Sequence, residues 1–168
     1  MSGASSLERK KMIKGHFYFL EDTYYVDFPD DDIQKNHEII DGQIHDKPCF
    51  CAIEESETGI FWLVPISSKT DKYHDIANRK IQKYHKCDTI LFGNVLGHEK
   101  AFLIQNMVPV TRRYIKNEYL DSFGNPVRVD GVFEMRLIKA VNDVLNKQRR
   151  GINLIFPDVL SIEKELLK

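Results

Sequence analysis

The amino-acid sequence predicts an α+β fold, with a small, strongly bent antiparallel sheet or barrel that carries inserted and C-terminal helices. β-branched and aromatic segments come in groups along the chain, as is typical of neighbouring antiparallel strands. Two longer segments have apolar residues at helical spacing. No strand–helix–strand repetition is present, so the pattern does not support a doubly wound parallel sheet.

The clearest element is a β-hairpin formed by residues 47–54 and 59–66. Both strands are rich in β-branched and aromatic residues, and the polar turn between them ends in glycine. The acidic residues 29–32 are interpreted as a solvated loop, with a short helix at residues 33–36 as the alternative. Other extended segments are predicted at residues 15–20, 23–28, 88–95 and 100–105, and helices at residues 73–86, 132–147 and 158–167.

With 168 residues, 42% of them hydrophobic, the chain has the size and composition of one packed domain. We expect this domain to cover residues 12–168, and the small polar residues 1–11 to form a disordered tail or an added extension. No apolar run is long enough to cross a bilayer, and no signal-peptide pattern is present near the N-terminus. The sequence therefore predicts a soluble, cytoplasmic protein without a membrane partner.

The three cysteines fit a reduced, cytosolic protein. Cys49 and Cys51 share one face of a predicted strand close to His45, which raises the question of a metal site. A zinc site of this kind needs a second pair of ligands downstream, and that pair is missing. We therefore expect these thiols to be small buried apolar side chains, and we expect neither a metal nor another cofactor.

Charge is distributed unevenly, although the formal net charge is only −1. Residues 1–60 carry a net charge of −7, whereas residues 61–150 carry +7. Such asymmetry is a hint of contact with nucleic acid. The alternative is that the acidic and basic segments neutralise each other across one surface.

The strongest candidate site is the rim of the predicted hairpin, since the sequence has no Walker loop, dinucleotide-binding glycines, zinc-hydrolase motif or serine-hydrolase elbow. In an antiparallel hairpin the start of one strand lies beside the end of the next. This places Lys47 beside the Ser-Ser-Lys segment at residues 67–69. Hydroxyls and ammonium groups together suit a phosphate. The alternative is that the serines form a turn that caps the following helix.

The order and spacing of several short motifs resemble a known family of toxins. Residues 47–50 (Lys-Pro-Cys-Phe) and 64–69 (Val-Pro-Ile-Ser-Ser-Lys) carry the resemblance, and the segments at residues 17–19 and 88–91 fall in matching order. Over residues 14–155 the chain resembles the ToxN, AbiQ and CptN endoribonucleases, which are the toxins of type III toxin–antitoxin systems. The CptN branch is the most similar.

The resemblance implies a compact, SH3-like β-barrel core similar to that of the MazF, Kid and CcdB toxins. It implies metal-independent cleavage of cellular or phage RNA that leaves a 2′,3′-cyclic phosphate and a 5′-hydroxyl, as used in phage defence by abortive infection. It also implies one partner, a small repeat-derived non-coding antitoxin RNA, which the toxin processes and which blocks the site in a closed toxin–RNA assembly. DNA is not an expected partner.

Carried over by position, the resemblance assigns catalytic roles to Lys47, the pair Ser67–Ser68 and Lys69. The family usually has one more residue between the hydroxyl pair and the following lysine, so Lys72 is the alternative to Lys69. The 2′-hydroxyl of the RNA is the nucleophile in this chemistry, and the protein orients it, stabilises charge and moves protons. We expect Lys47 to act on the 2′-hydroxyl or the phosphate charge, the serines to hold phosphate oxygens, and Lys69 to add charge. His45 is a further acid–base candidate, because imidazole titrates near neutral pH.

The basic segment is expected to bind RNA along the helix at residues 73–86 and along the connection around residues 112–116. The candidate RNA-binding residues are Lys72, Arg79, Lys80, Lys83, Lys86, Arg112, Arg113, Lys116 and Tyr114, the last as a base-stacking residue. The alternative for each of them is an ordinary solvated position. Two other functions stay open for the whole chain: a non-catalytic barrel-type module that binds and inhibits a protein target, and an RNA-binding accessory protein.

Overall fold

The chain forms a seven-stranded antiparallel sheet, a separate two-stranded hairpin and four helices in a computed structural model that describes residues 11–168. In chain order the strands are β1 (Phe17–Leu20), β2 (His37–Ile40), β3 (Gln43–Asp46), β4 (Cys49–Glu55), β5 (Ile60–Ser67), β6 (Ile90–Val95), β7 (His98–Leu103), β8 (Val108–Val110) and β9 (Ile115–Glu118). The helices are α1 (Asp22–Asp27), α2 (Thr70–Tyr84), α3 (Gly131–Arg149) and α4 (Val159–Leu166). Apart from Lys11, the tail predicted at residues 1–11 lies outside the described residues.

Strand β5 organises the main sheet. It pairs with β4 on one edge, and its other edge is shared by β8 near Phe61 and by β7 near Ile66. The full order is β6-β7-β5-β4-β1-β9, with β8 beside β5. Within residues 11–168 the outer strands β6 and β9 do not pair with each other. The predicted α+β fold with an antiparallel sheet is therefore confirmed, whereas a closed SH3-like barrel is not.

The main sheet is covered on both faces. On one face, α3 packs Phe133 and Leu137 against side chains of the strands that include Phe50 and Trp62. On the other face, α1 and α4 cover a second apolar cluster, and α2 lies on β6 and β7 through Tyr73. Burial on both faces explains why β5 is apolar almost throughout, since a strand that is covered on one side alternates between apolar and polar residues.

The β4–β5 hairpin and the helices α2, α3 and α4 confirm the sequence prediction to within a few residues at their ends. Helix α3 begins after Asp130, whose carboxylate accepts a hydrogen bond from the Phe133 N–H at 3.1 Å, and Gly151 follows its last turn with a φ of +94°. Both features are common signals of helix ends. Across residues 11–168, none of the helices combines the length and the apolar composition that a bilayer span requires.

Near the N-terminus one local prediction is wrong, and one hairpin is missing from the prediction. Residues 23–28, predicted to be extended, lie mostly in α1, because the helical turn buries Tyr24 and lets its hydroxyl donate to the Pro109 carbonyl at 2.7 Å. The β2–β3 hairpin is absent from the prediction, because its isoleucines face solvent. Ile39, for example, is 75% exposed. The turn of the β2–β3 hairpin is Asp41–Gly42, with φ values of 51° and 79°, and this residue pair is the local signal that identifies such a hairpin. Residues 33–36 form no helix, which confirms the loop interpretation.

The thiols of Cys49 and Cys51 are buried on one face of β4 among apolar side chains. Burial raises the pKa of both thiols to about 12, so they carry no charge at neutral pH. The prediction that they are small buried apolar side chains is confirmed.

Candidate active site

A cleft of about 220 Å³ opens at the rim of the β4–β5 hairpin, between the β2–β3 hairpin on one side and β7 on the other. Its polar lining residues are Glu38, His45, Asp46, Lys47, Ser68, His98 and Lys100. The aromatic Tyr119 and the apolar residues Ile40, Pro48, Ile66, Val95 and Leu96 complete the lining. Three of the predicted site residues, His45, Lys47 and Ser68, therefore lie around one cleft that offers cations and a hydroxyl to an anionic ligand.

Strand register explains why residues that are distant in sequence meet in this cleft. The register of β4 against β5 brings Lys47 to the end of β5, and the register of β5 against β7 brings Ser68 beside Lys100. His98 and Lys100 share one face of β7 with Phe102, since alternate residues of a strand point the same way. Phe102 is fully buried in the core, so the strand that carries His98 and Lys100 is anchored by core packing.

Lys47 is half-buried, and its backbone N–H donates to the Asn36 carbonyl at 2.9 Å. Burial lowers the pKa of its ammonium group, and the cations Lys69 and Lys35 lower it further, whereas Glu38 opposes them. A lowered pKa gives more neutral amine at neutral pH than an ordinary lysine has. Lys47 is therefore suited both to attract a phosphate and to accept a proton.

The two serines after β5 have different surroundings. Ser67 is buried, with 7% of its surface exposed, and its Oγ accepts a hydrogen bond from the Lys69 N–H at 3.1 Å. This contact holds the turn that leads into α2, as the capping interpretation predicts. Ser68 is exposed and lines the cleft. Of the predicted hydroxyl pair, Ser68 is thus the member that lines the cleft, whereas Ser67 holds the turn.

Neither lysine considered for the second cationic position lines the cleft. Lys69 is exposed at the start of α2, and Lys72 is exposed in its first turn, with its Nζ 5.2 Å from the Tyr73 ring centroid. Lys100 of β7 occupies a position beside Ser68 instead. Sequence reasoning missed Lys100, because the pairing of β5 with β7 joins segments separated by the whole of α2 and leaves no local signal.

The residues of the α2 region that are predicted to bind RNA fall into two groups. Arg79 and Lys83 are exposed on the helix. Lys80 is bound by the protein instead, since its Nζ donates to Gln105 Oε1 at 2.8 Å and to Thr89 Oγ1 at 3.1 Å. Lys86 follows the helix and forms an ion pair with Asp88 at 3.1 Å. Lys80 therefore fastens α2 to the sheet, and the cations that face solvent lie along the rest of the helix.

The predicted RNA-binding residues before and in β9 are engaged by the protein itself. Tyr114 is 4% exposed, and its hydroxyl donates to Asp27 Oδ2 at 2.6 Å. The predicted stacking of Tyr114 on a base is therefore wrong, because α1 packs over its ring. Arg113 forms an ion pair with Asp27 at 3.4 Å, and Lys116 forms one with Asp46 at 2.8 Å. The Arg112 guanidinium lies 5.6 Å from the centroid of the Phe61 ring.

His37 joins the β2–β3 hairpin to the rest of the protein. Its ring nitrogens lie 2.6 Å from Asp22 Oδ1 and 2.8 Å from Asp46 Oδ1, and Asp46 also accepts a hydrogen bond from Lys116 at 2.8 Å. Hydrogen bonds to Asp22 and Asp46 raise the pKa of His37, so the imidazolium bridges two carboxylates. This link is strongest at mildly acidic pH and weakens as the pH rises through the raised pKa of His37.

No protein-family model matches the chain, and no curated protein matches it. Among solved structures, the fold is similar to that of AbiQ, a lactococcal anti-phage endoribonuclease belonging to the type-III toxin–antitoxin system. The TM-score is 0.64 at 12% sequence identity, and the match covers 90% of this chain and 94% of the AbiQ chain. The similarity supports the predicted family at the level of the fold. The placement nearest to the CptN branch stays a prediction.

Proposed function

We propose that the protein is an endoribonuclease toxin of a type III toxin–antitoxin system and cleaves RNA by transesterification, without a metal ion, in the cleft beside β5. The observation that carries this proposal is the convergence of Lys47, Ser68 and His45 on one cleft, with Lys100 beside Ser68. The similarity of the fold to AbiQ over most of both chains supports the same function.

The proposed reaction needs few protein groups. The 2′-oxygen of the RNA attacks the neighbouring phosphorus, the bond to O5′ breaks, and the products are a 2′,3′-cyclic phosphate and a 5′-hydroxyl. Ser68 and Lys100 hold the non-bridging oxygens, on which negative charge develops. Lys47 accepts the proton of the 2′-hydroxyl, with His45 as the second candidate for that step. Lys69 acts from outside the cleft by lowering the pKa of Lys47.

We further propose that cytoplasmic cellular or phage RNA is the substrate, and that a small repeat-derived antitoxin RNA is processed in the cleft and then blocks it. The exposed cations Lys72, Arg79 and Lys83 provide a surface for RNA phosphates along α2, which begins shortly after the end of β5. Binding that depends on such contacts weakens steeply as the salt concentration rises.

The direct test is incubation of the purified protein with RNA in EDTA, followed by analysis of the new termini. We expect cleavage in the chelator, with 2′,3′-cyclic phosphate and 5′-hydroxyl ends. Cleavage that stops in EDTA and returns with Mg²⁺ would contradict the metal-independent mechanism. No cleavage under either condition would contradict the proposed endoribonuclease activity. It would favour a non-catalytic module that inhibits a protein target, or an RNA-binding accessory protein.

The two serines are expected to respond differently to substitution by alanine. Ser68→Ala removes a hydroxyl from the cleft, so RNA cleavage falls roughly 10- to 100-fold, the value of one hydrogen bond to a charged group, while stability is unchanged. Ser67→Ala removes the acceptor of the Lys69 N–H and costs about 1 kcal/mol of stability. Cleavage rates and urea unfolding curves of the two variants measure both effects. Equal stability together with equal activity of the two variants would contradict this assignment.

A further inference from the structure

His98 lines the cleft, and the proposed transesterification gives it no role so far. His98 is the first residue of β7 and is exposed beside the turn between β6 and β7. It lines the same cleft as Lys47 and Ser68. Sequence reasoning missed it, because its approach to Ser68 depends on the pairing of β7 with β5.

His45 and His98 are the two of the six histidines that line the cleft. The other four are used elsewhere: His16, His37 and His74 pair with carboxylates, and His85 caps the C-terminal end of α2. Within residues 11–168, the rings of His45 and His98 form no hydrogen bond or ion pair with the protein. Their nitrogens are therefore available to a ligand.

The order of strands places His98 on the opposite side of Ser68 from Lys47. In the sheet, β5 lies between β4 and β7, and Ser68 directly follows β5. Lys47 precedes β4, whereas His98 begins β7. In-line displacement at phosphorus also requires the attacking and leaving oxygens to lie on opposite sides. This strand order favours a phosphate at Ser68 with Lys47 on the β4 side and His98 on the β7 side of the same cleft.

We propose that His98 is the general acid of the RNA cleavage, an inference that rests on the proposed function. As the bond between phosphorus and O5′ breaks, the His98 imidazolium gives its proton to O5′, which leaves as the 5′-hydroxyl. Lys47 takes the proton of the 2′-hydroxyl as the new bond from O2′ to phosphorus forms. One proton is taken up and one is released, and exchange with water restores both groups. The other ionisable groups around the cleft are Glu38, His45, Asp46, Lys100 and Tyr119.

The test compares the wild-type protein, His98→Ala, His98→Gln and the control His85→Ala on two RNA substrates. One has an ordinary phosphodiester, and in the other sulfur replaces the bridging O5′, so the leaving group departs without protonation. We expect the His98 variants to cleave the ordinary substrate about 10²- to 10⁴-fold more slowly, the usual contribution of general acid–base catalysis. We expect them to cleave the sulfur substrate at nearly the wild-type rate, and His85→Ala to match the wild type on both.

The dependence of the rate on pH provides a second readout. The wild-type rate should fall at alkaline pH as the acid loses its proton, and the His98 variants should lack this fall. An equal loss on both substrates would make His98 an RNA-binding residue and overturn the proposal, and so would an unchanged rate on the ordinary substrate. If the wild-type protein cleaves neither substrate, the proposed function fails, and the role of His98 fails with it.

Discussion

Changing Lys47 to alanine is expected to lower RNA cleavage about 10²- to 10³-fold, as removal of one preorganised group that stabilises transition-state charge does. The free energy of unfolding should not fall, because a half-buried ammonium group that has lost part of its hydration adds little to stability. Initial cleavage rates with protein in excess, together with urea unfolding of the same preparations, measure both quantities.

Two further variants separate the possible roles of Lys47. Lys164→Ala, at an exposed position of α4, is the matched control and should cleave like the wild type. Lys47→Arg keeps the charge but is unable to give up a proton. If Lys47 accepts the proton of the 2′-hydroxyl, Lys47→Arg is nearly as slow as Lys47→Ala, whereas a purely electrostatic role lets arginine restore most of the rate. Wild-type cleavage by Lys47→Ala would exclude the proposed site.

Changing Gly93 to alanine is expected to destabilise the protein by about 1–3 kcal/mol, the usual cost of overpacking. Gly93 lies within β6, directly under Phe133 of α3, and a Cβ at this position would overlap the Phe133 ring. The ring has little room to move, since it is buried and its centroid lies 5.0 Å from that of Phe102. Urea unfolding measures the loss.

Gly131→Ala is the matched control for this prediction. Gly131 is the first residue of α3, and a Cβ there would meet no atom within 4 Å. Alanine is also the better helix former, so this variant should be as stable as the wild type or slightly more stable. Combining Gly93→Ala with Phe133→Leu should recover part of the loss, because the smaller side chain leaves space for the methyl group. Equal stability of the two glycine variants would contradict the close packing of α3 on β6.

The sequence predicts those parts of the fold that local patterns determine. The β4–β5 hairpin has β-branched strands around a polar turn, and α3 has a cap, an apolar stripe and a terminal glycine. Helix α1 is not predictable in this way, because its Thr-Tyr-Tyr-Val segment favours a strand and only the burial of Tyr24 makes it helical. The strands of the β2–β3 hairpin also lack a clear pattern, since their isoleucines are largely exposed, and only its Asp41–Gly42 turn carries a local hairpin signal.

The same distinction applies to the candidate site. Lys47 and Ser68 are predictable, because one hairpin brings them to the same rim. Lys100 and His98 are not, since they reach that rim through a pairing between strands that are not neighbours in sequence. For Tyr114 the sequence predicts a role that the structure does not support. An aromatic ring directly after two arginines suggests stacking on an RNA base, but α1, which is not predicted, covers the ring.

The burial of β5 gives the two sides of the cleft different local stabilities. All eight residues of β5 are buried and strands pair with both of its edges, so we expect its amide hydrogens to exchange with solvent far more slowly than those of the β2–β3 hairpin. The β2–β3 hairpin is a two-stranded sheet of its own, so its amides exchange through local opening. Ser68 therefore adjoins the most persistent strand, whereas His45 moves with the hairpin. Ordering the backbone around an RNA is therefore expected to cost more conformational entropy in the hairpin than in β5.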